Sequence, residues 1–427
     1  MKRCIVSVIF VFCLLSAKPA TASNRFIVRD TLGLTSLQNF CLPLLCTVVQ
    51  TLDGTLNQLF LVTAPNFIDP NWVIIILESL PGVQNAEIDQ LLQVQQSSGT
   101  GIPSGLYDSA PVSFFGSTVW HGYVNQTAAQ IVRLEDARSM YNVTGAGIVA
   151  VIDTGIDPTH PAFANALVSG YDFTRNSAGG SERNDVTQWD NGGQPQPAQV
   201  GQSTMAVVDP YNATTLSGSQ YSAFGHGTMV AGIIHLVAPG AQIMALKAFG
   251  PNGSGYLSDI LRALYYAAQH SAKVINMSFT FPSSSPEMQR AVQYATGRGV
   301  VCAAAAGNNG DDKVLYPAGY TNLVMGVAST TDNDTLSSFS NYGAAVWVAS
   351  PGEAVITTYP FGTYAAGWGT SFSTPFVSGG VALLVSLSQR VSQSQAASAM
   401  GYAKWISPGV GQGRIDLYQA LSAFTSQ

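Results

Sequence analysis

Four apolar, β-branched runs dominate this chain beyond residue 118: "GIVAVID", "QIMALKAF", "AKVINMSF" and "GVVCAAAAG". Helix-like segments such as "LSDILRALYYAAQHS" and "PEMQRAVQYATGRG" stand between them. Strands joined through helices pair in parallel, because a parallel neighbour needs a long crossover. Strands that are apolar throughout, rather than alternately, are buried on both faces. The pattern therefore predicts an α/β fold, a mainly parallel sheet covered by helices on each side. Functional groups in such a sheet gather at the carboxyl ends of the strands. No internal repeat is visible.

Composition narrows the function classes. Of 427 residues, 46% are hydrophobic and only 10% charged, against the usual charged fraction of about 25%. With 42 glycines, this is the composition of a compact, loop-rich protein. The net charge of -6 and the lack of any Lys/Arg cluster give no footprint for nucleic acid.

The N-terminal part reads differently. Lys2 and Arg3 precede the apolar run "CIVSVIFVFCLLSA" and the small-residue site "ATA" at Ala20–Ala22. This predicts a signal peptide over 1–22 and a secreted, extracellular or periplasmic protein, with a membrane anchor as the alternative. After signal removal no membrane association is expected. Residues 23–95 read as a small α+β unit. "NRFIVR" and "LDGTLNQLFLVTAP" are strand-like, Asp69 and Pro70 open a helix, Pro81-Gly82 ends it, and a strand follows through Val83, Ala86 and Ile88. The Ser-, Gly- and Pro-rich stretch 96–117 reads as a linker or processing region, leaving 118–427 for the main domain. Cys4 and Cys13 lie in the signal. Cys41 and Cys46 are close together and could pair, and Cys302 reads as a buried, inert thiol. No Cys/His spacing suggests zinc.

Asp153 ends "GIVAVID" at the functional edge of the sheet. Its "DTG" also occurs in aspartic proteases, but those need two carboxylates and no second such triplet is present. Among five histidines, His226 in "FGHGTMVAG" stands out, with glycine on both sides and an apolar helix after it. His235 reads as packed or surface, and His160 as structural between Pro158 and Pro161. Asn308 follows a small-residue strand and can present an amide donor. Ser371 precedes an apolar helix whose start offers N–H groups and a positive dipole end. Alone it reads as a helix cap, a role also open to Ser373 and Thr374. Together the residues supply a nucleophile, a base, an orienting acid and an oxyanion donor. The order Asp153, His226, Ser371 is neither the chymotrypsin nor the α/β-hydrolase order, and Ser373 breaks the G-x-S-x-G elbow.

The chain resembles the subtilisin-like serine peptidases (subtilases) through "VIDTGID", "HGTMVAG", "AAAGNNG" and "GTSFSTPFVSG", over roughly residues 119–420. The resemblance implies a three-layer α/β/α sandwich and a secreted serine endopeptidase acting on proteins or peptides, monomeric and made as a zymogen. It implies Asp153 as orienter, His226 as general base and acid, Ser371 as nucleophile, and Asn308 with the Ser371 N–H as oxyanion donors. It also implies that the N-terminal unit, through "LESLPGVQNAEID", is a ferredoxin-like propeptide acting as chaperone and intramolecular inhibitor. A slow-folding parallel sheet makes such a template useful. By the same resemblance Gly253, Ser254 and Gly255 form one substrate edge and Ser278, Phe279 and Thr280 the other. Ala304, Ala305 and Gly307 would line the S1 pocket and Leu315 lie near its base, implying an apolar P1 preference.

Departures from the pattern are Met229, Ser373 and Phe376 where His, Ala and His are more usual. The chemistry implies no cofactor. "GIIHLVAPG" runs straight into the next strand without the calcium-binding insertion of longer subtilisins; acidic loops such as "DDK" and "TDNDT" could hold a structural calcium but read as solvated turns. Two other readings remain: a sedolisin-type acid peptidase, which uses Glu as base and Asp in the oxyanion hole, and an inactive peptidase-fold binding protein. His226 and Asn308 speak against the first, the intact four residues against the second.

Overall fold

The computed structural model describes residues 23–94, 101–186, 206–208 and 219–426. The expected signal peptide, 1–22, lies outside the described residues. Two compact units divide the described residues, one of 23–50 and 60–88, the other of 51–59 and those from 89 onward.

The first unit has strands β1 (Ser23–Asp30), β2 (Thr47–Thr51), β3 (Leu59–Pro65) and β4 (Val83–Ile88), in the order β2-β3-β1-β4. Helices α1 (Leu34–Cys41) and α2 (Pro70–Ser79) complete it. The expected start of α2 is found: the Asp69 carboxylate accepts from the Asn71 and Trp72 N–H groups, and Pro70 takes the first turn, where no N–H is needed. Phe26, Val28, Phe60, Val62, Leu37 and Leu77 form its core. Cys41 and Cys46 are disulfide-bonded.

The second unit begins with β5 (Leu91–Gln93), the hairpin β6 (Pro111–Phe114) and β7 (Ser117–Trp120), and helices α3 (His121–Val124), α4 (Thr127–Ile131) and α5 (Leu134–Tyr141). Then come β8 (Ile148–Asp153), β9 (Leu167–Asp172), β10 (Ser177–Ala178), β11 (Ala206–Val208), α6 (His226–Val237), β12 (Gln242–Lys247), β13 (Ser254–Tyr256), α7 (Leu257–Gln269), β14 (Ala272–Met277), α8 (Pro286–Gly297), β15 (Val301–Ala305), β16 (Met325–Thr330) and β17 (Val346–Pro351). The hairpin β18 (Val355–Tyr359) and β19 (Thr363–Gly367) leads into α9 (Thr370–Leu387), α10 (Gln393–Met400) and α11 (Leu417–Thr425). The large sheet runs β10-β9-β12-β8-β14-β15-β16-β17. All its pairings are parallel except β10 with β9. Helices α6 and α9 pack together, as do α7 and α8, giving the expected three-layer α/β/α arrangement. The chain builds one side of the sheet through β9 and β12, then crosses β8 to begin β14. The strand ends flanking such a crossing are where sites form.

One expectation needed revision. The stretch 101–117 is not simply a linker in its described part, since Leu106 and Phe114 belong to the main core. The apolar α9 is long enough to cross a membrane by length and composition, but it is a buried core helix.

Candidate active site

Strand ends bring the candidate residues to one edge of the sheet. β8 ends on Asp153, β14 leads into Ser278, and β15 leads into Asn308. Asp153, His226 and Ser371 are all buried.

Helix α6 can start on His226 because Gly225 takes φ 91°, a left-handed conformation that suits glycine. His226 Nδ1 lies 2.6 Å from Asp153 Oδ1, which also accepts the Thr154 N–H at 2.7 Å. A carboxylate only accepts, so this pairing places the imidazole proton on Nδ1 and leaves Nε2 as the basic nitrogen. Nε2 is buried without a hydrogen-bond partner, and the Phe372 ring centroid is 5.6 Å from the imidazole.

Ser371 is the second residue of α9. Neither Ser373 nor Thr374 caps this helix: Thr374 Oγ1 donates to the Thr370 carbonyl at 2.8 Å, and Ser373 Oγ has no partner. The capping acceptor comes from another strand end. Asn308 Oδ1 accepts from Thr370 N at 2.9 Å and from Thr370 Oγ1 at 2.8 Å. Both bonds hold the oxygen of the Asn308 amide and turn its NH₂ to the opposite side. Further on, Pro375 sits inside the helix and has no N–H for the carbonyl four residues back. That carbonyl belongs to Ser371, and the Ser278 hydroxyl donates to it at 2.8 Å. Ser371 Oγ in turn donates to the Ser278 carbonyl at 3.0 Å. Strand end and helix start are thus stitched twice.

The remaining candidates are placed as follows. β13 pairs antiparallel with β5, Ser254 opposite Gln93 and Gly255 opposite Leu92, and Val94 N–H donates to the Gly253 carbonyl at 2.8 Å. The Asp89 carboxylate accepts the Ser258 N–H and hydroxyl, each at 2.8 Å, at the start of α7. This pairing groups residues 89–94 with the larger unit. Ser278–Thr280 extend β14 without a ladder of their own; Phe279 turns inward against Phe249, with centroids 5.1 Å apart. A cavity of about 440 Å³ is lined by Leu92, Gln93, Thr280, Phe281, Lys313 and Leu315 among others. Ala304 and Ala305 are buried within β15, and Gly307 holds φ 119° against the Asn341 side chain; none of the three lines this cavity.

Sequence reading passed over one group here. Glu182, fully buried, accepts from the Gly225 N–H at 2.8 Å, from Thr154 Oγ1 at 3.2 Å and from the Thr228 hydroxyl. Burial pushes its carboxyl up to about 8, against the pull of Thr228 and Gly225. Beside it Lys247 spends its three protons on Asp185 Oδ2 and the carbonyls of Thr154 and Phe249, each at 2.7 Å. A charged residue in "GGSERND" carries no local signal of burial. Among the described residues no cluster of three or more His, Cys, Asp or Glu side chains is placed to hold a metal ion. Asp334 of "TDNDT" pairs with Arg414 and Lys404, while Asp332, Asn333 and Thr335 of the same turn are exposed. Cys302 is buried and its thiol pushed up to about 12.

A carboxylate-held imidazole is a device for activating a neighbouring hydroxyl, and here the imidazole packs against Phe372, the residue after Ser371. Residues 145–404 match the subtilase family (Peptidase S8), and the chain belongs to it. It is 34% identical over 298 residues to thermitase of Thermoactinomyces vulgaris, covering 69% of this chain and 95% of that one. To subtilisin Savinase of Lederbergia lenta it is 37% identical over 252 residues, 57% of this chain and 77% of that protein. Its fold is similar to that of fervidolysin from Fervidobacterium pennivorans, described as a keratinolytic enzyme related to subtilisin: TM-score 0.70, 20% identity, 96% of this chain and 62% of that one. The chain is a subtilisin-like serine endopeptidase.

Proposed function

We propose that Asp153, His226 and Ser371 form the catalytic triad of a secreted endopeptidase made as a zymogen. The single observation that carries this is the buried His226–Asp153 pair at 2.6 Å, with the imidazole packed against Phe372, the residue after Ser371. In this reading Ser371 Oγ turns from the Ser278 carbonyl, gives its proton to His226 Nε2 and attacks the scissile carbonyl carbon. Asp153 keeps the imidazole oriented and stabilises its charged form. The oxyanion accepts from the Asn308 NH₂ and the first-turn N–H of Ser371. The imidazolium then protonates the leaving amine, and water, activated by the same base, cleaves the acyl-enzyme.

Residues 89–94 support the zymogen reading. They pair with β13 as an extended peptide substrate would add a strand. The N-terminal unit then serves as the propeptide, and cleavage falls between residues 95 and 117. Calcium is not required for the chemistry. The test is N-terminal sequencing of secreted wild type beside Ser371→Ala. Wild type is expected to start within 95–117 and to be labelled by an organophosphonate serine probe, and the variant to retain residues before 95. Processing of purified Ser371→Ala at the wild-type rate would refute self-maturation, and absence of labelling in folded, matured wild type would refute the triad.

A further inference from the structure

Glu182 grips both halves of the Asp153–His226 pair. Its Oε2 accepts from Gly225 N–H, the residue before His226, and from the hydroxyl of Thr154, the residue after Asp153. Its Oε1 accepts from the hydroxyl of Thr228, two residues after His226. Each of these hydroxyls is also an acceptor across the gap. Thr154 Oγ1 takes the N–H of Gly227 at 3.0 Å, and Thr228 Oγ1 takes the N–H of Asp157 at 2.8 Å. So the end of β8 reaches the start of α6 through Thr154, and the start of α6 reaches back through Thr228. A hydroxyl can bridge in this way only when its own proton has somewhere to go. Ionised, Glu182 is the acceptor for both protons, and the variants below are compared at about pH 9, where its carboxyl is charged.

We propose that Glu182 is a positioning residue that fixes the separation and orientation of Asp153 and His226 by orienting the Thr154 and Thr228 hydroxyls. The inference rests on the triad reading above. Glu182 comes from the turn Glu182–Asp185, a third element besides β8 and α6, and Asp185 anchors that turn to Lys247 of β12. The anchor ties the grip to the sheet, so that a shift of α6 against β8 strains three buried hydrogen bonds at once.

Glu182→Gln tests this with little change in shape. Its amide oxygen can stay with Gly225 and Thr154, but its NH₂ then faces Thr228 Oγ1, which already accepts from Asp157. The Thr228 proton loses its acceptor and that bridge loosens. With an apolar-P1 peptide anilide, kcat is expected to fall about 10- to 100-fold, the effect of loss of close positioning, while KM stays within about threefold. Thr228→Val removes the same bridge and should give a similar loss, with Thr228→Ser restoring kcat. The double variant Glu182→Gln/Thr228→Val should lose no more than the worse single, since both remove one link. A folded Glu182→Gln with wild-type kcat, a loss that falls in KM, or additive losses in the double variant would overturn the proposal. If Glu182→Gln does not fold, the Thr228 pair decides alone: equal kcat in Val and Ser overturns it. Wild-type turnover and phosphonate labelling run alongside; their absence would mean that the triad reading has failed, whereas an active wild type with unaffected variants would sink only the role of Glu182.

Discussion

Gly227→Ala should separate Asp153 from His226, the pair proposed as catalytic, without touching either. Gly227 follows His226, and Gly155 lies two residues after Asp153. A Cβ at Gly227 would stand 2.0 Å from the Gly155 carbonyl oxygen, 3.0 Å from its carbon and 3.1 Å from its nitrogen, whereas real Cβ contacts essentially never fall under 3.0 Å. The difference, 3.0 minus 2.0, means that α6 and the loop after β8 must part by about 1 Å. The obstacle is backbone, not a flexible side chain, so no rotamer change relieves it. A misplacement of about 1 Å at a catalytic group costs on the order of 100-fold in rate. The expected result is a fall in kcat of about that size on a peptide anilide. A melting temperature lowered by several degrees should accompany it, as overpacking costs roughly 1–3 kcal/mol. Labelling by an organophosphonate should slow in parallel, because it too needs the Asp153–His226 pair in place. Full activity at an unchanged melting temperature would refute the reasoning. It would mean either that the contact relaxes freely or that the pair tolerates displacement.

Further predictions follow from single contacts. Asn308→Asp keeps an oxygen for both Thr370 donors but removes the NH₂, so kcat should drop about 100- to 1,000-fold with the helix start intact, and near-wild-type kcat would dismiss Asn308 as oxyanion donor. His235 is buried with neither ring nitrogen hydrogen-bonded, its ring edge-on to Phe114 and Phe163, and burial pushes its pKa down to about 4. The unfolded chain binds that proton at the ordinary value of about 6.5, so stability is full above that pH and falls by roughly 3 kcal/mol as the pH drops to about 4. Urea unfolding of Ser371→Ala protein with and without His235→Leu should show this acid loss reduced in the double variant; an identical loss in both would assign it elsewhere.

Local pattern carried much of the architecture. "GIVAVID" and "AKVINMSF" announce buried parallel strands because both faces of each are apolar, and Asp69-Pro70 announces a helix start because capping is a matter of three neighbouring residues. The four candidate catalytic residues were legible for a related reason: each sits at a strand end or helix start marked by glycine and small residues. Legibility failed where burial runs against residue type. Glu182, Asp185 and Lys247 are charged, and in a sequence they read as surface. The Ser-, Gly- and Pro-rich stretch 96–117 reads as linker, yet Leu106 and Phe114 enter the main core, because two well-placed apolar side chains suffice to anchor a polar segment.

The sequence by itself determined the sheet, its helices and the chemical inventory at its edge, since these depend on periodicity and on residue type at short range. Only the tertiary structure decided that Ser278 is bonded to both ends of Ser371, that Asn308 supplies the acceptor at the start of α9, and that Glu182 ties β8 to α6. Those partners lie 93, 93, 62 and 43 residues apart. Hydrogen bonds act over about 3 Å, and which distant groups come that close is fixed by how the packed layers bring strand ends and helix starts together.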